Sequence, residues 1–137
     1  MIALDTNILV RYIVGDDHGQ ARRAAALLEH ELTVARPGFV SLVALVELGW
    51  VLRNVYSVSS SELRDIVRQL LNAAQLIIDR ADAVEAALAH VHEDFADALI
   101  HELGKAAECS KTLTFDREFA RLEGVQLLGN HGRPASI

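Results

Sequence analysis

Cysteine is almost absent from this chain. Cys109 is the only one in 137 residues, so no internal disulfide forms and the fold has to be held by its core. A single domain of that length buries enough apolar surface to manage without cross-links or a structural metal. Cys109 itself is expected as a small buried residue near a helix end. Long apolar runs are missing too: no uncharged stretch approaches the roughly 20 residues that span a bilayer. Asp5 and Arg11 interrupt the apolar start, so neither a membrane segment nor a signal peptide is expected, and the cytoplasm is the default compartment. Linkers, repeats and low-complexity tracts are absent, which points to one domain over residues 1–137, with about 130–137 as a loose C-terminal tail. A broad basic face is lacking as well. The net charge of −6 argues against a protein that grips nucleic acid through many Lys and Arg.

Two kinds of site are also missing. His101-Glu102-Leu103-Gly104-Lys105 begins like a zinc-protease helix, but Lys105 stands where the second ligand would be. His90 and His92 are two apart and share no helix face, so surface placement is expected for both, and His101 is given a structural role. No Gly-x-Ser-x-Gly turn occurs, and Ser41 reads better as a helix cap than as a nucleophile.

What is present is an alternation of strand and helix patterns. Met1-Ile2-Ala3-Leu4 reads as a buried strand, followed by a helix from Ile8. Gly15 to Gly19 is a turn, Gln20 to Glu31 an amphipathic helix, and a second strand is expected near Leu32 to Ala35, ended by Arg36-Pro37-Gly38. Ser41 caps a nearly apolar helix through Leu52. Ser59-Ser60-Ser61-Glu62 has capping-box spacing for a helix reaching about Asn72. Leu76 to Ile78 is a third strand, Ala83 to Val91 a helix, Phe95 to Glu108 another, Thr112 to Phe115 a fourth strand and Val125 to Leu128 a fifth. Such alternation implies an α/β fold, a three-layer α/β/α with a central parallel sheet of four to five short strands.

Four acids stand out on this frame. Asp5 and Asp116 each end an apolar strand and precede a helix, so both would face the crevice beyond the carboxyl ends of a parallel sheet. Glu47 is the only charged residue between Arg36 and Arg53, which predicts a buried carboxylate, explained either by an ion pair with Arg11 or Arg53 or by a role. Asp97 lies near a helix start, where the macrodipole favours negative charge. Taken singly, each reads equally as a site residue or as merely a cap or a paired surface group. Together they would repel one another unless a cation sat among them. Oxygen donors without a Cys or His cluster favour Mg²⁺ or Mn²⁺ over zinc.

Leu4-Asp5-Thr6-Asn7, the Glu47 helix with Trp50 one turn on, Asp94-Phe95-Ala96-Asp97-Ala98-Leu99-Ile100, and Thr112-Leu113-Thr114-Phe115-Asp116-Arg117 resemble a PIN-domain nuclease over nearly the whole chain. The length and the ending Leu122-Glu123-Gly124-Val125-Gln126-Leu127-Leu128 are similar to a VapC-type toxin, the ribonuclease half of a toxin-antitoxin pair. The resemblance implies that Asp5, Glu47, Asp97 and Asp116 are the acidic metal-site positions, with Asn7 and Thr114 supporting the first and last. Asp94 would be an outer acid or, preferred here, the cap of the Asp97 helix. Arg11, two turns into the first helix, and Arg117, directly after Asp116, are candidate contacts to the RNA backbone, although an ordinary solvated or paired Arg is the preferred reading of each. The implied activity is endonucleolytic RNA hydrolysis leaving 5′-phosphate and 3′-hydroxyl ends. The implied partners are the RNA and an antitoxin segment that blocks the acidic crevice; separately, the helices at Leu42 to Leu52 and Ser61 to Leu71 carry more apolar residues than a small core needs, so a homodimer seam is expected there. Two alternatives remain open: a non-catalytic binding module of the same fold, and a phosphatase or receiver-like domain using Asp5 as nucleophile. Haloacid-type phosphatases need a second Asp where this chain has Asn7.

Overall fold

Each strand among the described residues is only two or three residues long. The computed structural model describes residues 1–129, so the expected tail at about 130–137 lies outside the described residues. The strands are β1 Ile2–Ala3, β2 Gly38–Val40, β3 Leu76–Ile78, β4 Thr112–Thr114 and β5 Val125–Leu127. All pair in parallel: β2 lies between β1 and β3, with Ala3 opposite Phe39 and Val40 opposite Ile78, while β4 pairs with β5. Six helices connect them: α1 Thr6–Val14, α2 His18–Ala26, α3 Leu42–Asn54, α4 Ser60–Asn72, α5 Ala81–Leu88 and α6 Phe95–Ala106. Two helices bridge β1 to β2 and two more bridge β2 to β3, the long crossover that parallel neighbours require. The expected three-layer α/β/α architecture is present, with the difference that the five parallel strands form two ladders and not one continuous sheet.

Local chemistry explains the helix ends. Ser41 caps α3 by accepting from the Ala44 N–H at 3.1 Å, and Ser59 caps α4 by accepting from the Glu62 N–H at 3.1 Å while its hydroxyl donates to Glu62 Oε1. Gly15 ends α1 in the left-handed region, at φ +69°. The core lies between these helices and the first ladder. Leu9 of α1, Val40 of β2, and Leu45, Leu48 and Leu52 of α3 are fully buried within it. No helix among the described residues is long and apolar enough to cross a membrane.

Several expectations need correction. The second strand is Gly38–Val40, whereas Thr33 and Arg36 exchange backbone hydrogen bonds in a tight turn. Pro37, read as a terminator, feeds the ladder: its carbonyl accepts from the Ile2 N–H at 3.0 Å, and a strand's first position needs no N–H of its own. Gly38 is dictated by packing, since a Cβ there would lie 2.8 Å from Leu32 Cδ1 and 2.9 Å from Leu4 Cδ1. The Gln20 to Glu31 helix changes to a π-helical turn over Leu27–Glu31, where the Leu32 N–H donates to the Leu27 carbonyl. That shift leaves the Leu28 carbonyl without its α-helical donor, and the Gln75 side chain supplies one at 2.7 Å. Cys109 is exposed, because it follows α6 on the surface side of the turn.

Candidate functional site

The register of the first ladder fixes where its polar ends lie. Continuing one step past Val40 and Ile78 sets Ser41 beside Asp79, and continuing past Ala3 sets Asp5 beside Ser41. Asp5, Ser41 and Asp79 therefore share the carboxyl edge, where ligands of parallel sheets bind. Asp5 caps α1, its Oδ1 accepting from the Thr6 N–H at 2.7 Å. Thr6, buried, approaches the Ala44 carbonyl at 3.5 Å, which sets the first turn of α3 against the end of β1. Glu47 lies three residues beyond Ala44, one turn further along the same side of that helix.

Glu47 is exposed, which corrects the expectation of a buried carboxylate. The helix is apolar not because it is enclosed all round but because one face is left uncovered: Val43 and Trp50 are 76% and 62% exposed. With Leu99 and Leu103 of α6, these residues and Glu47 line a shallow apolar groove of about 550 Å³. The proposed ion pairs of Glu47 do not form. Arg53 donates to the Val58 carbonyl at 3.0 Å. Arg11 is held by the Asp16 carboxylate at 3.0 Å and Gln20 Oε1 at 2.7 Å, with the Tyr56 hydroxyl at 3.5 Å.

Asp97 and Asp116 form the other half of the acidic set. Asp94 caps α6, its Oδ1 accepting from the Asp97 N–H at 3.1 Å, so the preferred reading of that residue matches its geometry. Burial pushes the Asp97 carboxyl above its ordinary value, and the charges of Asp94, Asp116 and Glu93 push it further in the same direction. Beyond β4, Asp116 Oδ1 accepts from the N–H groups of Glu118 at 2.9 Å and Phe119 at 3.3 Å, and Thr114 Oγ1 accepts from the Asp116 N–H at 3.0 Å. Asn7, one turn before Arg11, lines a separate groove with Gln20 and Arg23. Arg117 is exposed next to Asp116.

Among the described residues none of the four acids is in an ion pair, and no three His, Cys, Asp or Glu side chains are gathered into a ready metal cage. The donor set nonetheless fits a hard divalent cation. Magnesium keeps several waters and takes only one or two carboxylates, so a loose set of acids, one of them held partly against ionisation by its neighbours, suits it.

Two acids escaped the sequence reading. Asp79 Oδ2 accepts from the Leu42 N–H at 3.4 Å and so backs the start of α3. Its signal was available: Leu76-Ile77-Ile78-Asp79 repeats the strand-then-acid pattern of Leu4-Asp5. Glu93, which bears on Asp97, had no such signal. The histidines divide: His92 is exposed as expected, while His90 is half-buried and bonded to the buried Glu102 at 2.8 Å. The expected surface position of His90 is thus overturned, because Glu102 needs a partner. His101 is structural as expected, with Nδ1 2.7 Å from Thr112 Oγ1.

Residues 2–125 match the profile of a protein family described as PIN domain. No curated protein matches the chain.

Proposed function

The chain belongs to the PIN domain family, whose members are typically nucleases that use divalent metals, and on that premise we propose that it is an Mg²⁺- or Mn²⁺-dependent endoribonuclease. The observation that carries the reading is the crowding at Asp97 in the first turn of α6, whose carboxyl is raised by burial and by the charges of Asp94, Asp116 beyond β4, and Glu93. Carboxylates assembled against their own repulsion suit a cation and, through it, a phosphate.

Asp5, Glu47, Asp97 and Asp116 would hold the ion. When bound, the metal supplies a water of lowered pKa and charge to balance the phosphodiester as it is cut. The protein's part is positioning. Thr114 and the turn after it fix Asp116, Asp94 fixes the first turn of α6, and Ser41 with Asp79 fixes the start of α3 and hence the axial position of Glu47. Asn7 would support Asp5. Arg117 would contact the RNA backbone, whereas Arg11 would have to leave Asp16 and Gln20 to do so. Cleavage would leave 5′-phosphate and 3′-hydroxyl ends without using the 2′-hydroxyl.

The order of the motifs and the run Leu122 to Leu128 support a narrower reading as the toxin of a type II toxin-antitoxin system in the cytoplasm. An antitoxin segment would then cover the acidic crevice, and a second copy would dock on the apolar face of α3. Purified protein incubated with structured RNAs and Mg²⁺, Mn²⁺ or chelator tests the central claim. Metal-dependent cuts with 5′-phosphate ends are expected. Asp5→Asn should lose more activity than the roughly 10–100-fold typical of outer partners of a metal site. Activity that survives chelation, or is equal in Asp5→Asn, would sink it.

A further inference from the structure

Both lysines of this chain, Lys105 and Lys111, line one cavity of about 490 Å³, together with His90, His101, Ser110, Gly124 and, exposed to solvent, Glu123. In a chain of net charge −6 that concentration of nitrogen donors is unusual. The cavity lies where β4 begins, at Thr112, whereas Asp116 follows the other end of that strand. It is therefore distinct from the acidic edge.

Its floor is built rather than incidental. His101 is 3% exposed and lines the cavity, with Nδ1 engaged by Thr112 Oγ1 and, among the described residues, no hydrogen-bond partner at Nε2. When the Thr112 hydroxyl donates to Nδ1, Nε2 carries the proton and is a donor. Gly124 keeps the space beside it open: a Cβ there would lie 2.9 Å from Cε1 and 3.2 Å from Nε2 of His101, and φ is +87°. Two carboxylates lie nearby among the described residues: Glu102 is buried and already satisfied by His90 at 2.8 Å and Lys105 at 3.4 Å, while Glu123 lines the cavity but is exposed, where water screens its charge. At the rim, the successive peptide N–H groups of Ser110 and Lys111 donate to no backbone carbonyl among the described residues. Leu122 supplies an apolar wall.

We propose that this cavity binds the phosphate group of a small phosphate ester. Lys111 and Lys105 provide the charge, the fixed Nε2 of His101 the donor at the floor, and Leu122 a surface for the carbon part of the ester. Charge-assisted donors converging on one anion are the stronger class of hydrogen bond. The proposal does not depend on the nuclease reading.

Inorganic phosphate and phenyl phosphate, titrated into the full protein at constant ionic strength without divalent metal, are followed by the imidazole signals of His101 in ¹H–¹⁵N NMR. A saturable shift is expected, with phenyl phosphate tighter than phosphate. Binding should weaken about tenfold or more in Lys105→Ser/Lys111→Ser, the size of one or two charge-assisted hydrogen bonds. Lys111→Ser alone, which leaves Glu102 its partners, should show part of that loss at an unchanged melting temperature. Asp97→Asn should leave the titration unaltered. A His101 signal that does not move, equal binding in the double variant, or loss in Asp97→Asn but not in the lysine variants would overturn the assignment. Phenyl phosphate no tighter than phosphate would overturn its ester part.

Discussion

Asp97 carries a cost that the fold bears in the absence of a cation. Its carboxyl is raised first by burial and then by Asp94, Asp116 and Glu93, so ionisation is less favourable in the folded chain than in the unfolded one. A carboxyl with a raised folded pKa weakens the fold progressively as pH climbs from the ordinary carboxylate range through the raised value, and the penalty is complete above it. Asp97→Asn removes the penalty, so without divalent metal at neutral pH the variant should melt above the parent. Added Mg²⁺ should raise the melting temperature of the parent by more than that of the variant. Calorimetry at two pH values, with Mg²⁺ and with chelator, reads both effects; a variant that melts lower in chelator contradicts the argument. At this scale the sequence was informative where a strand ends in an acid, as at Asp5 and Asp116. It misled at Glu47, because an apolar helix was equated with an enclosed one.

At the scale of elements, strong local signals survived and weak ones did not. Capping residues at Ser41, Ser59 and Asp94 announced three helix starts from side-chain chemistry alone, and the structure has all three. β2 was invisible because Pro37-Gly38 carries the composition of a turn, while the need for Gly38 is created by Leu4, Leu32 and Leu76, which lie far apart in sequence. Gly38→Ala places a methyl within 3 Å of two leucine side chains at the middle strand of the ladder, so it should destabilise the protein by about 1–3 kcal/mol, the usual cost of overpacking. Chemical denaturation measures it, and an unchanged midpoint would mean that Leu4 and Leu32 repack freely. The π-helical turn at Leu27–Glu31 was equally unreadable, since its freed carbonyl is matched by Gln75, nearly fifty residues on.

Over the whole molecule, the alternating pattern sufficed for the parallel α/β architecture, but not for the break between the two ladders, which depends on how very short strands line up. In the second half of the chain, His90, after α5, holds Glu102 of the neighbouring α6. That hydrogen bond, aided by Lys105, keeps the Glu102 carboxyl below its ordinary value. A lowered folded pKa gives stability that is present above the unfolded pKa, about 4.3 for Glu, and is lost as pH falls through the folded value. Melting temperatures from pH 7 down to 3 should therefore fall more steeply in the parent than in Glu102→Gln, which should be the less stable of the two at pH 7. Parallel curves would remove Glu102 from the account. The apolar face of α3 bears on association. The α4 half of the expected seam turns inward, with Leu63, Val67 and Leu70 buried, so self-association would rest on Val43 and Trp50. Sedimentation should show a dimer in the parent and a monomer in Val43→Glu; a parent that stays monomeric at high concentration refutes the seam.

Trp50 is the chain's single tryptophan, 62% exposed and one turn beyond Glu47. An indole so placed emits at the red edge of its range and shifts to the blue when something dry covers it. Anything that settles on α3 beside Glu47, whether a second copy or an antitoxin segment, must pass close to this one chromophore. The protein thus carries its own optical probe on the uncovered face of α3, and occupancy there is readable without a label.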